Sequence, residues 1–489
     1  MKPENKFAAT EIYALAVGLF LGLAFWKFGN PVILDHKIIT PESPAAFWAD
    51  AWPTHWANWI SPPLALIGAA LAFTNKFRWP ATPWLWLLPL LWFGWQFLSA
   101  TQTVDADLTT ATLWQFFGCM ACYFVGALVI GAPGTASARK SSPLHAGAVP
   151  GSPRSRNPNS FLLIGILAAF TFCLVRALDQ RLFEFPQSRQ MLVEGERDGW
   201  TNMPPSMLLD LKRGQAVITN TNGADVANPV FLKKFAQGRV MGTLVYPNAL
   251  AGAVLLLLPL SLTLALGAEK LRPAIRAMVV AMTCFLGGVA LFWTGSKLGW
   301  LVAMGVGGLY LLRTNWPSRL KFTTLAIVAI VGLGIFAVRF HTYFAAGATS
   351  AGARLDYWRA AVQTTVKNPL AGTGPGTFQQ PYALIKSPES EMARLTHNDY
   401  LEQFSDSGIP GGIFYAAWVI LALATAGRRL WKNSNQFTFS IFVGLLGWFV
   451  QGIGEFSLYI PALAWTAFTL LGCSLALTGN QFDKKPEVG

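Results

Sequence analysis

Residues 396–412, THNDYLEQFSDSGIPGG, carry the histidine best placed to do chemistry. Thr396 and Asp399 have the spacing of a capping box, so the sequence predicts a short helix beginning at His397 and stopped by Gly408 and Pro410. On that helix His397, Tyr400, Leu401 and Phe404 share one face, and Asn398, Glu402 and Ser405 share another. A histidine in a first helical turn feels the positive end of the dipole. That favours the neutral, proton-accepting imidazole. The bare amides there also suit an anion. A neutral base beside an anion site is what transfer from a phosphate-bearing donor requires.

Cations for such an anion are present, though spread along the chain. Arg239 precedes the stretch VMGTLVYPNALAG, which contains Asn248 and opens an apolar run. Lys297 lies in TGSK, a tight turn between two apolar runs. Arg354 and Arg359 lie on an amphipathic pattern over 354–366; a spacing of five keeps them off a common face. Arg176 and Arg339 end apolar runs on the same side. An arginine fork suits bidentate phosphate contact. Snorkelling or plain solvation is the alternative reading for each of these cations. The loop AGTGPGTF at 371–378, with Gly374 and Gly376, has the composition of a backbone nest for an anion. It is neither a Walker loop nor a dinucleotide fingerprint, and an ordinary turn reads equally well. Asn398 and Tyr400 beside His397 are candidate supporting residues. Glu455, near the end of an apolar run, is an intramembrane acid and so a functional candidate.

Metal chemistry has little to start from. The histidines His36, His55, His145, His341 and His397 show no ligand spacing, and Asp105 with Asp107 lacks neighbouring motif features. No metal and no cofactor are expected. The cysteines Cys119, Cys122, Cys173, Cys284 and Cys473 all fall inside apolar runs. Helix packing is therefore expected of them, the Cys119–Cys122 C-x-x-C included, in place of disulfide, redox or zinc chemistry.

The scaffold that must position these groups is apolar. The 489 residues are 53% hydrophobic and only 12% charged, which places the chain among all-α polytopic membrane proteins. About twelve apolar runs are long enough, or nearly so, to span a bilayer: 10–28, 57–74, 82–100, 110–132, 160–177, 244–267, 276–294, 298–312, 321–339, 409–426, 436–455 and 460–478. The first lacks a small-residue cleavage site and reads as an anchor. Lys and Arg in the short connections orient the bundle: Lys76, Arg78, 270–276, 313–321 and 428–432 fall on one side. Both termini and the basic, low-complexity linker 135–159 share that side, which is read as cytoplasmic. The net charge of +13 follows this topology, so nucleic-acid binding is not expected.

Five segments result. Residues 1–177 form an N-terminal membrane bundle, 178–243 a first outward loop, and 244–339 central membrane helices. Residues 340–408 form a second outward loop carrying the histidine motif, and 409–489 the last membrane helices and tail. Two long loops over one bundle predict an ordered cap, since loops of this length with helical patterning are functional elements.

Four pieces in fixed order carry a family likeness: GRVMGTLVYPNALAG at 238–252, WTGSKLGWL at 293–301, RLDYWRAAVQTTVKNPLAGTGPGTF at 354–378 and THNDYLEQFSDSGIPGG at 396–412. The chain resembles the O-antigen ligase and polymerase superfamily of bacterial inner-membrane glycosyltransferases. The resemblance covers about 238–412 and implies a GT-C-like helical bundle with a periplasmic helical cap. It implies a polyprenyl-diphosphate-linked glycan as donor and a glycan or lipid A core as acceptor, with membrane lipids around the site. By the same likeness Arg239 and Arg354 hold the diphosphate, with Arg359 and Lys297 as further candidates, and His397 is the base for the acceptor hydroxyl. Family members often have Ser-Arg where this chain has Ser296-Lys297, and lysine is a point charge and not a fork.

The function expected from sequence is thus a metal-independent glycosyltransferase working at the periplasmic face of a bacterial inner membrane, in lipopolysaccharide or polysaccharide biosynthesis. A protein-O-glycosylating member of the superfamily is the nearest alternative. A transporter or flippase for a lipid-linked glycan is the rival from another class; it would want charges in mid-membrane and paired broken helices. A scaffold protein needs no such outward cations.

Overall fold

All twelve apolar runs fold as helices in the computed structural model, which describes residues 9–74, 82–131, 158–345, 349–431 and 435–479. Among the described residues nine helices are long and apolar enough to cross a membrane. Three more apolar runs form shorter helices: Trp84–Ala100, Lys297–Arg313 and Gln436–Gln451. The chain is an all-α polytopic membrane protein. Lys76, Arg78, the 135–157 part of the basic linker with His145, and both termini lie outside the described residues, so the sidedness read from them rests on sequence alone.

Small residues set the closest helix pair. Ala9–Lys27 packs on Pro158–Asp179, with Gly18 and Gly22 one turn apart facing Gly165. A Cβ on Gly18 would lie 2.2 Å from the Leu162 carbonyl oxygen, and one on Gly165 would lie 2.2 Å from that of Gly18. In a bilayer, where lipid is as apolar as leucine, such backbone proximity supplies the association. Lys27 ends the first of these helices fully buried. Its ammonium donates to the carbonyls of Phe47, Trp48 and Asp50 at 2.7–2.9 Å, so all three donors are used. At the periphery, Ser318–Ala345 is apolar yet unburied along its spanning part, as a lipid-facing helix should be.

Both long loops fold over one end of the bundle. Pro158–Asp179 does not stop at 177; it continues through a π turn, Gln180–Glu184, into Phe185–Arg197. No helix breaker intervenes before Pro186, which is tolerated in the first turn. The rest of 178–243 adds the helices Pro205–Arg213 and Pro229–Gln237 and an antiparallel hairpin, Val217–Thr219 with Asp225–Ala227. The expected all-helical cap therefore contains a small sheet. The Asn/Thr/Gly run 219–224 forms its turn, where Asn220 Oδ1 accepts from the amides of Asn222 and Ala224. Leu192, Trp200, Val217 and Ala227 give this piece its own core.

The helix expected to begin at His397 begins at Asp399 instead. Asn398 caps it, its Oδ1 accepting from Tyr400 N and Leu401 N at 3.1 and 3.0 Å. His397 precedes the cap in the left-handed region at φ 53°. The helical span Asp399–Trp431 is interrupted at Gly408, where φ is 70° and ψ −177°. A Cβ there would lie 2.2 Å from the Leu370 carbonyl oxygen. The carbonyls freed by the break are taken up: Asp406 by Gly374 N and Ser99 Oγ, and Ser407 by Trp95 Nε1. Gly408→Ala should therefore destabilise the protein by roughly 2 kcal/mol or more. Thermal unfolding in detergent would show this as a lowered midpoint, and an unchanged midpoint would mean that the break is not required.

Candidate active site

A cavity of about 220 Å³ lies where the two loops meet the bundle. Arg239, Asn248, Lys297, Arg354, Tyr357, His397 and Glu455 are among its walls. These residues come from five separate stretches, so the fold, and not local spacing, assembles the constellation.

Glu455 is its hub. The side chain is 1% exposed, and an unpaired carboxylate there would be costly. Its Oε1 accepts from Arg354 Nη2 at 2.6 Å and from Asn248 Nδ2 at 2.8 Å. Its Oε2 accepts from the Tyr246 hydroxyl at 2.9 Å. Burial first, and then the Glu455 charge, push the Tyr246 phenol well above its ordinary range, so it stays a donor. Asn248 relays this arrangement onward, its Oδ1 accepting from Arg239 Nη2 at 2.9 Å.

Arg239 is aimed by backbone. Its Nε donates to the Thr294 carbonyl at 2.7 Å, and burial holds its pKa below the ordinary guanidinium value. Just upstream, Gly238 closes Pro229–Gln237 in a left-handed cap. Just downstream, the buried Gln180 in the π turn accepts from Met241 N and Gly242 N and donates to the Gly242 carbonyl. Arg239 is thus clamped on both sides.

Lys297 follows Ser296, whose Oγ accepts from Gly299 N and caps Lys297–Arg313. Its ammonium lies 3.8 Å from the Tyr343 ring centroid and 5.2 Å from that of Phe340. Desolvation, followed by repulsion from Arg239, Arg354 and Arg339, pulls its pKa down to about 8. Crowded cations with depressed pKa values are what an anion site looks like before the anion arrives.

His397 is held by rings. Tyr357 stacks on it at 5.9 Å and Phe456 meets it edge-on at 4.7 Å. Its Nδ1 is 3.7 Å from Glu455 Oε2, short of a hydrogen bond. The dipole argument for this histidine gives way to a carboxylate contact, because the first helical turn belongs to Asp399. Imidazole and carboxylate in this order form the base-and-orienter pair of acyl-transfer triads, and such contacts tighten once substrate binds.

The other candidates lie elsewhere. Arg359 is exposed and pairs with Asp356 at 3.5 Å, so the structure does not bring it to the cavity. Gly374 and Gly376 are turned to Asp406 of the same chain and not to the cavity: Gly376 N donates to Asp406 Oδ2 at 2.6 Å and Gly374 N to the Asp406 carbonyl. Asn398 and Tyr400 support from behind, one as the cap and the other donating to the Phe449 carbonyl at 3.2 Å. Arg176 pairs with Asp179 and Glu184, and Arg339 lies over the rings of Phe292 and Phe340. Among the described residues no three His, Cys, Asp or Glu side chains gather as a metal site. Tyr246, Tyr357 and Gln180 were not singled out from sequence. Tyr246 sits in the VYPN stretch directly before a span, where a polar side chain facing the next helix end is its only signal.

The O-antigen ligase family model matches residues 282–416. Over that stretch the chain is similar to the O-antigen ligase family, which supports the superfamily likeness read from its sequence. No curated protein matches it. The matched stretch of this O-antigen ligase relative holds Lys297, Arg354 and His397, while Arg239, Asn248 and Glu455 reach the cavity from either side of it. The matched O-antigen ligase domain supports, at the level of the family, a glycosyltransferase of the ligase and polymerase type.

One test addresses the cation cluster alone. Lys297 is charged below about pH 8 and loses its charge above it. Pyrophosphate binding to the purified protein should therefore begin to weaken as pH rises past about 8, and Lys297→Arg should flatten the profile. Titration calorimetry across pH 7–10 checks this, and identical profiles would remove Lys297 from the anion contact.

Proposed function

We propose that the protein transfers a glycan from a polyprenyl-diphosphate donor to an acceptor hydroxyl at the periplasmic face of a bacterial inner membrane. The observation that carries this reading is the convergence of Arg239, Lys297 and Arg354 with His397 and Glu455 on one cavity. In the transfer the acceptor oxygen bonds to the anomeric carbon as the bond to the diphosphate oxygen breaks. The proton of the hydroxyl passes to His397, and the electron pair leaves with the diphosphate. Charge on the diphosphate therefore grows toward the transition state. Fixed cations stabilise that growth more than they stabilise the bound donor, which is the condition for catalysis.

Glu455 has two roles in this scheme. It keeps Arg354 and, through Asn248, Arg239 in place before substrate binds, so that little reorganisation is needed. It also faces the imidazole edge that becomes charged as the proton arrives. With both arginines and Lys297 present against Glu455, the cavity keeps positive charge to offer a diphosphate. Direct attack by the activated hydroxyl inverts the anomeric centre. The acceptor is lipid A core for a ligase or a growing glycan for a polymerase, with a protein hydroxyl as the third choice in the superfamily. Convergence of the polar groups at one end of the bundle favours transfer over transport, which needs a path through its middle.

His397→Ala should lower transfer by about 100-fold or more while membrane insertion is unchanged, as loss of a general base does. Near-normal transfer from a lipid-linked donor would remove His397 from the chemistry. Arg354→Lys should cost about tenfold or more, since lysine cannot hold both Glu455 and a phosphate through one planar fork. A wild-type rate would leave Arg354 a surface role. Transfer should persist in excess chelator, and a loss restored by Mg²⁺ would contradict a metal-free site.

A further inference from the structure

A second cavity, of about 380 Å³, adjoins the first. Ser350, Ala353, Tyr357 and Glu391 line both, so the two are chambers of one cleft with a common wall. Their chemistry differs: both have Glu391 on the common wall, but cations enter only the first. The first is walled by Arg239, Lys297 and Arg354. The second is walled by Asp356, Glu389, Ser390 and Glu391 and receives no arginine or lysine. Asp356 is partly offset on its outer side by the exposed Arg359, and its Oδ2 accepts from Ser390 Oγ at 3.4 Å. Lys386, three residues before Glu389, is turned to the carbonyls of Ser387 and Ser390.

Tyr357 marks the joint. It is 6% exposed and its ring stacks on His397, yet its hydroxyl makes no hydrogen bond among the described residues. With its ring buried and its hydroxyl open to a cavity wall, the phenol is free to donate to or accept from a ligand. His397 Nδ1 is likewise without a hydrogen bond on the neighbouring wall. That Nδ1 is buried toward Glu455, so it is the Tyr357 hydroxyl, on a wall common to both chambers, that can serve a ligand spanning the joint.

We propose that the second cavity is a saccharide subsite that takes an uncharged or amino-bearing pyranose and excludes phosphorylated and uronic sugars. Carboxylates accept hydrogen bonds from sugar hydroxyls and pair with an ammonium, while a phosphate or carboxylate group meets like charge there. The volume admits a pyranose ring. The polarity of the cleft also fixes direction. A diphosphate is drawn to the basic chamber and repelled from the acidic one, so the sugar end of the reacting pair lies beside His397 and Tyr357. The sugar belongs either to the donor's glycan or to the acceptor; the chemistry recognised is the same. The second half of this inference rests on the transfer reading above, but the subsite itself does not.

The test uses the full-length protein in nanodiscs and saturation-transfer NMR with methyl glucoside, methyl glucosaminide and methyl glucuronide. The glucoside and glucosaminide should give signals and the glucuronide none. The double variant Asp356→Asn with Glu389→Gln should weaken the signals by about tenfold, the effect of losing a hydrogen bond to a charged group. Unchanged pyrophosphate binding in the same variant shows that the first chamber is intact. Glucuronide binding equal to that of the glucosaminide, or undiminished signals in the variant, would overturn the proposal. Saturation transfer needs no turnover, so it reads the subsite even if glycan transfer proves not to be the activity. In the transfer assay a raised KM for acceptor alone assigns the sugar to the acceptor, and a raised KM for donor alone assigns it to the donor glycan. A variant with both values at wild type would refute the subsite.

Discussion

A single buried carboxylate holds the site together. Glu455 stands at the end of one membrane helix and gathers Tyr246 and Asn248 from a second and Arg354 from the cap. Its desolvation would be prohibitive alone, and those partners offset it. The consequence is that the cap cannot leave the bundle without exposing an unpaired charge on both sides. Precision of the cations therefore comes from the same contact that docks the loop carrying them.

A second buried carboxyl group organises the layer behind. Asp406 Oδ2 accepts from Gly376 N and from the Tyr459 hydroxyl, while Gln403, Trp92, Gln96 and Ser407 complete a polar cluster between helices. The glycine loop thus binds a carboxylate of its own chain. That ties the segment after Thr349–Lys367 to the turn carrying His397.

Much of this was legible from residue order. The twelve helices follow from apolar runs of spanning length, and Arg239, Lys297, Arg354 and His397 were named from charge and context. The errors have local causes. Thr396 and Asp399 match a capping box, but Asn398 offers the same oxygen one turn position closer to the helix and wins the amides. That shifts His397 out of the helix. Arg359 shares a short helix with Arg354, and periodicity alone already set them on different faces. Gly374 and Gly376 have nest composition without any sign of which anion fills it. Glu455 drew notice as an acid near a membrane, but its partners lie more than a hundred residues away in sequence, and pairing at that range leaves no local pattern. The hairpin 217–227 is too short for alternation to register against the surrounding helices.

The interruption at Gly408 has a mechanical consequence. Above it, Gly374 N of the cap donates to the Asp406 carbonyl, and immediately after it Ile409 N donates to the Pro369 carbonyl, so the break itself is fastened to the cap on both sides. Below it, residues 409–431 run through the apolar layer. The glycine thus redirects the chain between a part seated against the cap and a part packed among the membrane helices, and the close fit of Leu370 against it fixes where that change falls.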